Sequence, residues 1–300
     1  MGTPDFAVEP LKKIVESGYE VVAVVTNNDK PVGRKQILTP PPVKVYAQSI
    51  GLSVLQYDKI RVEGVNDLKE IAPDLIITCA FGQILSQEII DIPKLGVINI
   101  HASLLPKYRG ASPIHYAILN GEKQTGITIM QTDIGIDTGD ILLQKPINIG
   151  DNETCGQLFE KLSKLGADAI VEALPNIING KIERVKQDDN LSTTTKIIKK
   201  EMALIDWSES ATDICNKIRA FNPAPTAFCF YEGQPFKIFE AKVLDFDTKV
   251  GKIVRADTEF IIGCGKGALS LLKVQKAGGK PMSIQDFLRG NKFVVGEDFK

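Results

Sequence analysis

Short apolar runs alternate with amphipathic segments through the first half of the chain. Apolar runs bounded by turn residues predict buried strands, and they occur at residues 20–26, 53–56, 74–79 and 97–100. Between these runs, apolar residues recur with the period of a helix at residues 43–49, 65–71 and 86–91. This alternation of strands and helices predicts an α/β domain whose parallel sheet is covered by helices on both faces.

The pattern changes in the second half of the chain. Residues 154–178 predict one long amphipathic helix, and the polar stretch at 183–200 predicts a linker. A helix at 208–220 is followed by short β-type runs at 227–231, 236–244, 252–256, 260–264 and 268–274. Short strands at this spacing predict a small β-barrel. We therefore predict a first domain at 1–182, a linker at 183–200 and a barrel domain at 201–300.

The beginning of the chain departs from the alternation. Thr3, Pro4 and Asp5 have the order of a helix start, and Gly18 marks the end of that helix. A strand should come before this helix, yet only Met1 and Gly2 do. We therefore expect the first strand of the parallel sheet to be missing from this chain and to lie upstream of Met1.

Composition limits the possible functions. The net charge is −1, so nucleic-acid binding would have to come from local basic patches. The five cysteines form no CxxC pair and there are two histidines, which favours a reducing compartment and argues against a metal site. No apolar run approaches the roughly 20 residues of a membrane span, and no signal peptide is visible. We expect a cytoplasmic protein without membrane association. The sequence also lacks a GxGxxG motif after a strand and a P-loop, so we expect no nucleotide cofactor.

Candidate chemistry concentrates in residues 96–113. Asn99 and His101 are two positions apart in a predicted strand and should project to the same side. The loop that follows lies at the carboxyl end of the strand, where open α/β sheets bind ligands. A polar turn farther on supplies carboxylates at Asp133, Asp137 and Asp140. An amide donor, an imidazole and a carboxylate that holds the imidazole predict an acyl-transfer site. The other histidine, His115, is interpreted as structural.

Several motifs in this region resemble one known family. They are Asn99-x-His101, Ser103-Leu104-Leu105-Pro106, Tyr108-Arg109-Gly110 and Asp137-Thr138-Gly139. The pattern is similar to that of the 10-formyltetrahydrofolate-dependent formyltransferases, and the resemblance covers nearly the whole chain. It implies a Rossmann-like catalytic domain followed by a small OB-like domain, which the run 218–228 also resembles. It also singles out Asp137 among the three carboxylates.

The resemblance carries expectations about individual residues. Asn99, His101 and Asp137 are expected to be catalytic, with His101 held in its cationic form by Asp137. Arg109 could bind the substrate or could only cap the sheet. The expected pterin-pocket residues are Ser103, Leu104, Leu105, Pro106, Phe81, Ile84 and Leu85. The co-substrate would be 10-formyltetrahydrofolate, without a metal.

The expected acceptor is the α-amino group of initiator methionyl-tRNA, used by a monomeric enzyme in translation initiation. The basic loop at residues 27–42 carries the expected tRNA contacts, Arg34 and Lys35. Related alternatives are formyl transfer to an amino sugar nucleotide and hydrolysis of the formyl-folate, both of which would use the same three catalytic residues. Transfer to glycinamide ribonucleotide would leave the barrel unexplained. A non-catalytic RNA-binding protein is the alternative from another class.

Overall fold

The protein divides into two compact units. The computed structural model describes residues 1–33 and 35–299. Unit 1 contains residues 1–113, 124–148 and 159–196, and unit 2 contains residues 114–123, 149–158 and the chain from 197 onward. Most of the predicted linker lies in unit 1, because residues 183–196 are included in that unit and form backbone and side-chain hydrogen bonds within it. The predicted domain limits, 1–182 and 201–300, remain a prediction.

The main sheet of unit 1 is mixed. The strands of the unit are β1 (Val24–Thr26), β2 (Lys30–Val32), β3 (Ile37–Thr39), β4 (Val54–Gln56), β5 (Ile76–Cys79), β6 (Val97–His101), β7 (Arg109–Gly110), β8 (Gln124–Gln131), β9 (Ile141–Asn148) and β10 (Thr194–Thr195). The predicted parallel arrangement is found where β1 pairs with β4 and β5 with β6. Strand β8 runs antiparallel to β6, and β9, which follows β8 through the hairpin loop 132–140, runs antiparallel to β8.

Helices cover this sheet, as the alternation predicts. They are α1 (Val8–Glu16), α2 (Pro42–Ser49), α3 (Ile60–Glu63), α4 (Val65–Ile71), α5 (Gln87–Ile90) and, from residue 159 onward, α7 (Cys155–Ile178). Helix α6 (Pro113–Leu119) belongs to unit 2 except for its first residue. Ile60 and Ile89, on two of the helices, are fully buried in a core that also contains Val97 of β6. Burial of each such aliphatic side chain contributes about 1.5–3 kcal/mol. Strand β6, which carries Asn99 and His101, is therefore fixed inside a packed core.

Met1 and Gly2 lie between β1 and β5. The Gly2 amide donates to the Val25 carbonyl (3.0 Å) and the Cys79 amide donates to the Met1 carbonyl (2.9 Å), so these two residues bridge the strands. The Met1 ammonium donates to the Ile77 carbonyl (2.7 Å), and burial lowers its pKa to about 6. Among the described residues, Met1 and Gly2 occupy this position and no full strand does.

An apolar cavity of about 620 Å³ lies next to Met1 and Gly2. It is lined by residues at the amino ends of the strands, among them Val22, Leu75 and Leu95, and does not include Asn99, His101 or Asp137. Residues 20–23 were predicted as part of a strand, but only Val24–Thr26 pair. Residues 20–23 instead line the cavity, where a neighbouring strand would be needed to continue the ladder.

Unit 2 contains a curled antiparallel sheet, consistent with the expected small OB-like domain. Its elements are α8 (Ala211–Ala220), β11 (Phe228–Tyr231), β12 (Gln234–Leu244), β13 (Ile253–Ala256), β14 (Phe260–Gly263), β15 (Ala268–Lys276), β16 (Met282–Ser283) and α9 (Ile284–Gly290). The strand order is β11-β12-β15-β14-β13, with β16 also on β15. Fully buried Phe299 contacts the rings of Trp207, Tyr231, Phe236, Phe260 and Phe293. We call these six residues the ring cluster.

Candidate active site

Asn99 and His101 lie at the carboxyl end of β6. This strand pairs with β5 on one side and β8 on the other, so both residues sit on an interior strand. Asn99 is half-buried, and His101 is buried with 5% exposure. Both side chains reach the same carboxylate, which confirms that they project to one side. We call this end of the sheet, together with loop 132–140, the polar edge.

Asp137 supplies that carboxylate. Its Oδ2 lies 3.5 Å from Nδ1 of His101, and its Oδ1 accepts a hydrogen bond of 3.3 Å from Nδ2 of Asn99. The Gly110 amide donates to Oδ2 at 2.7 Å. By contrast, the Asp133 carboxylate accepts from the Gly135 amide and from the Thr138 hydroxyl, inside its own loop. The structure therefore brings together the three predicted residues and selects Asp137 by geometry.

Both ring nitrogens of His101 face oxygen acceptors. Nδ1 faces Asp137, and Nε2 lies 3.0 Å from the Tyr108 carbonyl oxygen. A neutral imidazole carries one N–H group, whereas an imidazolium carries two and can donate in both directions. The geometry therefore offers an oxygen acceptor to each ring nitrogen of His101.

Thr78 orients the carboxamide of Asn99. Its hydroxyl donates to Oδ1 of Asn99 at 2.9 Å. With the carbonyl oxygen engaged on the β5 side, the NH₂ group of Asn99 is directed toward Asp137. The sequence interpretation missed this residue, although a signal existed. Thr78 lies near the carboxyl end of the predicted strand 74–79, and in the parallel register of the structure it is paired with Asn99.

The backbone of the predicted pterin loop is fixed by Thr128 of β8. The Thr128 hydroxyl donates to the Ser103 carbonyl (2.6 Å) and accepts from the Leu105 amide (3.1 Å). Ser103 and Leu105 are buried, whereas Leu104 and Pro106 are half-buried. Of the four loop residues, Leu104 and Pro106 therefore have the side chains with most access to a ligand.

The second predicted pterin segment, residues 81–85, also contains both buried and exposed side chains. Phe81 and Leu85 are 5% and 8% exposed and belong to the core of unit 1, whereas Ile84 is 66% exposed. The segment is held by Gln83, which donates to Oδ1 of Asn27 (2.7 Å) and to the Tyr57 carbonyl (2.9 Å). Because β5 and β6 are adjacent and parallel, this segment and the loop after His101 leave the sheet at the same end.

The loop at 27–42 contains an exposed hairpin rather than irregular chain alone. Strands β2 and β3 pair antiparallel, with Lys30 opposite Thr39 and Val32 opposite Ile37. Lys35 is exposed in the turn between them. Arg34, the other predicted tRNA contact, lies outside the described residues. The hairpin presents Lys35 to solvent and to any large partner.

The Arg109 guanidinium group is bonded to other residues of unit 1. Arg109 is 7% exposed; its Nε donates to Oε1 of Gln187 (3.0 Å), and its Nη2 donates to Oδ1 of Asp189 (2.8 Å). Gln187 in turn donates to the carbonyl oxygens of Asp137 and Gly139. The sequence interpretation missed Gln187, which lies in the predicted linker.

His115 lies in α6, and burial lowers its pKa, opposed by a hydrogen bond with the Ala224 backbone. Within residues 1–33 and 35–299, no group of three or more His, Cys, Asp or Glu side chains is placed to hold a metal ion. No helix in the same part of the chain has both the length and the apolar character of a membrane span.

Comparison with known proteins identifies the family. Residues 1–174 match the family described as formyl transferase, and residues 197–292 match the formyl transferase C-terminal domain. The methionyl-tRNA formyltransferase of Geobacter sulfurreducens is 45% identical over 298 residues, which cover 99% of this chain and 94% of that protein. That of Geobacter metallireducens is 46% identical over 298 residues, covering 99% and 96%.

Solved structures agree with this assignment. The sugar 3N-formyl transferase WlaRD, solved with dTDP and 5-N-formyl-THF, has a TM-score of 0.70 at 25% identity and covers 93% of this chain and 97% of its own. Its fold and the two family matches account for both units described above. The site residues also have the composition expected for acyl transfer. On these grounds the chain belongs to the formyl transferase family.

Proposed function

We propose that the protein transfers the formyl group of 10-formyltetrahydrofolate to the α-amino group of methionyl-tRNA. Two findings support the proposal. The polar edge joins Asn99, His101 and Asp137, and relatives named methionyl-tRNA formyltransferase align with 99% of the chain at about 45% identity. The polar edge supports acyl-transfer chemistry, and the relatives support methionyl-tRNA as the acceptor.

The reaction forms a bond between the amine nitrogen and the formyl carbon and breaks the bond from that carbon to the folate nitrogen. The formyl oxygen gains negative charge as the amine adds. The NH₂ group of Asn99 donates one hydrogen to Asp137 and has a second that is suited to that oxygen, and Nε2–H of His101 would serve it by exchanging the Tyr108 carbonyl for the substrate. One such donor is typically worth ~10²–10³ in rate. One proton must leave the amine and one must reach the folate nitrogen. Asp137 keeps His101 oriented during these steps.

The residues present fit a flat heterocyclic donor. Ile84, Ile134 and Ile136 belong to segments at the polar edge and are 66%, 66% and 69% exposed. Apolar walls combined with a few fixed polar groups are typical of sites that bind such rings. Leu104 and Pro106, in the loop after His101, are half-buried. In this proposal Ser103 and Leu105, with Phe81 and Leu85 in the core, hold the walls in place.

The acceptor is an initiator tRNA whose phosphates meet the hairpin of β2 and β3. Exposed Lys35 and neighbouring Arg34 would provide the positive charge, which a chain of net charge −1 does not offer globally. The proposal places the enzyme in the cytoplasm, as a monomer.

A competition assay tests the acceptor. The purified protein is given 10-formyltetrahydrofolate with methionyl-tRNA or with a nucleotide-linked amino sugar, and the formylated product is measured. The expected result is formyl-methionyl-tRNA, with the sugar unreacted. Formylation of the sugar alone would assign the protein to the sugar branch of the family, and release of formate without an acceptor would make it a hydrolase.

A further inference from the structure

Residues 185–195 fasten the two loops of the polar edge to each other. We call this segment the strap. At one end, Val185 exchanges two backbone hydrogen bonds with Ile141, at 2.8 and 2.9 Å. At the other end, β10 pairs in parallel with β7, with Thr194 opposite Arg109 and Thr195 opposite Gly110. The strap therefore contacts loop 132–140 through the start of β9 and the loop after His101 through β7.

Gln187 connects the two loops directly. Its Nε2 donates to the carbonyl oxygens of Asp137 (2.9 Å) and Gly139 (2.7 Å), while its Oε1 accepts from Nε of Arg109 (3.0 Å). Both donor hydrogens of the carboxamide are used, and the side chain is 6% exposed. Buried polar groups in a fully satisfied network of this kind define one arrangement, because any displacement leaves a partner unpaired.

The backbone of Asp137 needs such a restraint. Its φ angle is +54°, in the left-handed region, which costs a residue other than glycine of order 1 kcal/mol or more. The carboxylate of the same residue accepts from the Gly110 amide, at the position that pairs with Thr195 of the strap. The strap therefore restrains Asp137 at two points, through its carbonyl oxygen and through its carboxylate.

We propose that Gln187 is a positioning residue for formyl transfer, which acts by holding Asp137 against His101 and Asn99. This inference rests on the proposed function. Gln187 has no part in binding the acceptor, because its carboxamide is buried and engaged within the protein. Misplacement of a reacting group by about 1 Å can cost roughly 10²-fold in rate. Loss of Gln187 should therefore reduce kcat and leave the KM for methionyl-tRNA nearly unchanged.

The substitution Gln187→Met tests the proposal, since methionine has a similar length and no amide. We expect kcat to fall about 10–100-fold, with little change in KM for either substrate. Circular dichroism measures the folded fraction of each variant, so that kcat can be given per folded molecule. Gln187→Glu is the second variant: it keeps the acceptor for Arg109 and places an oxygen against two carbonyl oxygens, so it should lose activity as well. Gln87→Leu, at an exposed glutamine bonded within its own helix, is the control and should be unaffected.

The outcomes separate this inference from the proposed function. If the unsubstituted enzyme does not formylate methionyl-tRNA, the proposed function fails. If it does, and either Gln187 variant folds with normal kcat, the positioning role is refuted. A variant that melts at a lower temperature while its folded fraction turns over normally would also refute the role, because the strap would then be only structural. A rise in KM for the tRNA with kcat unchanged would contradict it too.

Discussion

The polar edge of unit 1 and the ring cluster of unit 2 are stabilised by different interactions. At the polar edge, Asn99, His101 and Asp137 are held by hydrogen bonds with defined donors and acceptors. In the ring cluster, Phe299 packs among five aromatic rings with centroid distances of 5.1–6.4 Å. A hydrogen bond contributes about 0.5–1.5 kcal/mol net but fixes direction, whereas a buried ring contributes several kcal/mol with little directional demand. Substitutions in the two regions should therefore separate activity from stability.

The largest change in stability is expected at the ring cluster. Phe299→Ala removes a fully buried ring and should lower the free energy of unfolding of unit 2 by about 3–5 kcal/mol. Denaturant titration measures this loss. Phe230→Ala, at a ring that is 41% exposed, is the matched control and should cost much less. If both variants lowered the free energy of unfolding equally, packing in the ring cluster would contribute no more to stability than an exposed ring does.

The largest change in activity is expected at the polar edge. His101→Ala should reduce turnover by ~10²–10³ or more, equivalent to about 2.7–4 kcal/mol of activation free energy, because the oxyanion loses a donor. Initial rates with saturating methionyl-tRNA measure the loss, and the melting temperature should change little. Near-normal turnover in a folded variant would remove His101 from the mechanism.

An intermediate effect is expected at Thr78. Thr78→Val removes the hydroxyl that orients Asn99 and keeps the shape of the side chain. A loss of one net hydrogen bond predicts a fall in kcat of roughly threefold to tenfold. Thr125→Val is the control, because Thr125 is buried in the same unit and its hydroxyl forms no hydrogen bond to the described residues. If both variants lose activity equally, the effect does not come from Asn99.

The smallest effect is expected at the exposed hairpin. Lys35→Ala should weaken methionyl-tRNA use most at low salt and reduce the salt dependence of log K by about 1 for one lost phosphate contact. The KM for the formyl donor should not change. Salt titrations of the tRNA KM in the two proteins provide the measurement. An unaltered salt slope would exclude Lys35 from the tRNA interface.

Local patterns in the sequence predict much of the fold and part of the site. Helix 154–178 and the short strands of unit 2 follow directly from periodicity, and the two-residue spacing of Asn99 and His101 places them on one side of β6. The family resemblance, rather than periodicity, singles out Asp137. Strand alternation alone does not distinguish parallel from antiparallel pairing, so the sequence predicts a parallel sheet where the structure has a mixed one.

The parts that were missed depend on contacts distant in sequence. Gln187 is 78 residues from Arg109 and 50 from Asp137 along the chain. A polar stretch rich in Lys, Asp and Thr has the composition of a solvated linker, and nothing local distinguishes a buried glutamine within it. Phe81 and Leu85 show the converse problem, because an apolar residue in a loop can belong to a ligand pocket or to the core.

The central claim is that His101 and Asp137 act as one unit in formyl transfer. It is tested most directly by the single-turnover rates of His101→Ala, of Asp137→Asn and of the double variant, measured with 10-formyltetrahydrofolate and methionyl-tRNA. Asparagine tolerates the left-handed backbone of residue 137 and so limits structural side effects. Residues that act together lose activity non-additively. The double variant should therefore be nearly as fast as His101→Ala alone. Losses that multiply in the double variant, or an Asp137→Asn protein with normal rate, would contradict it.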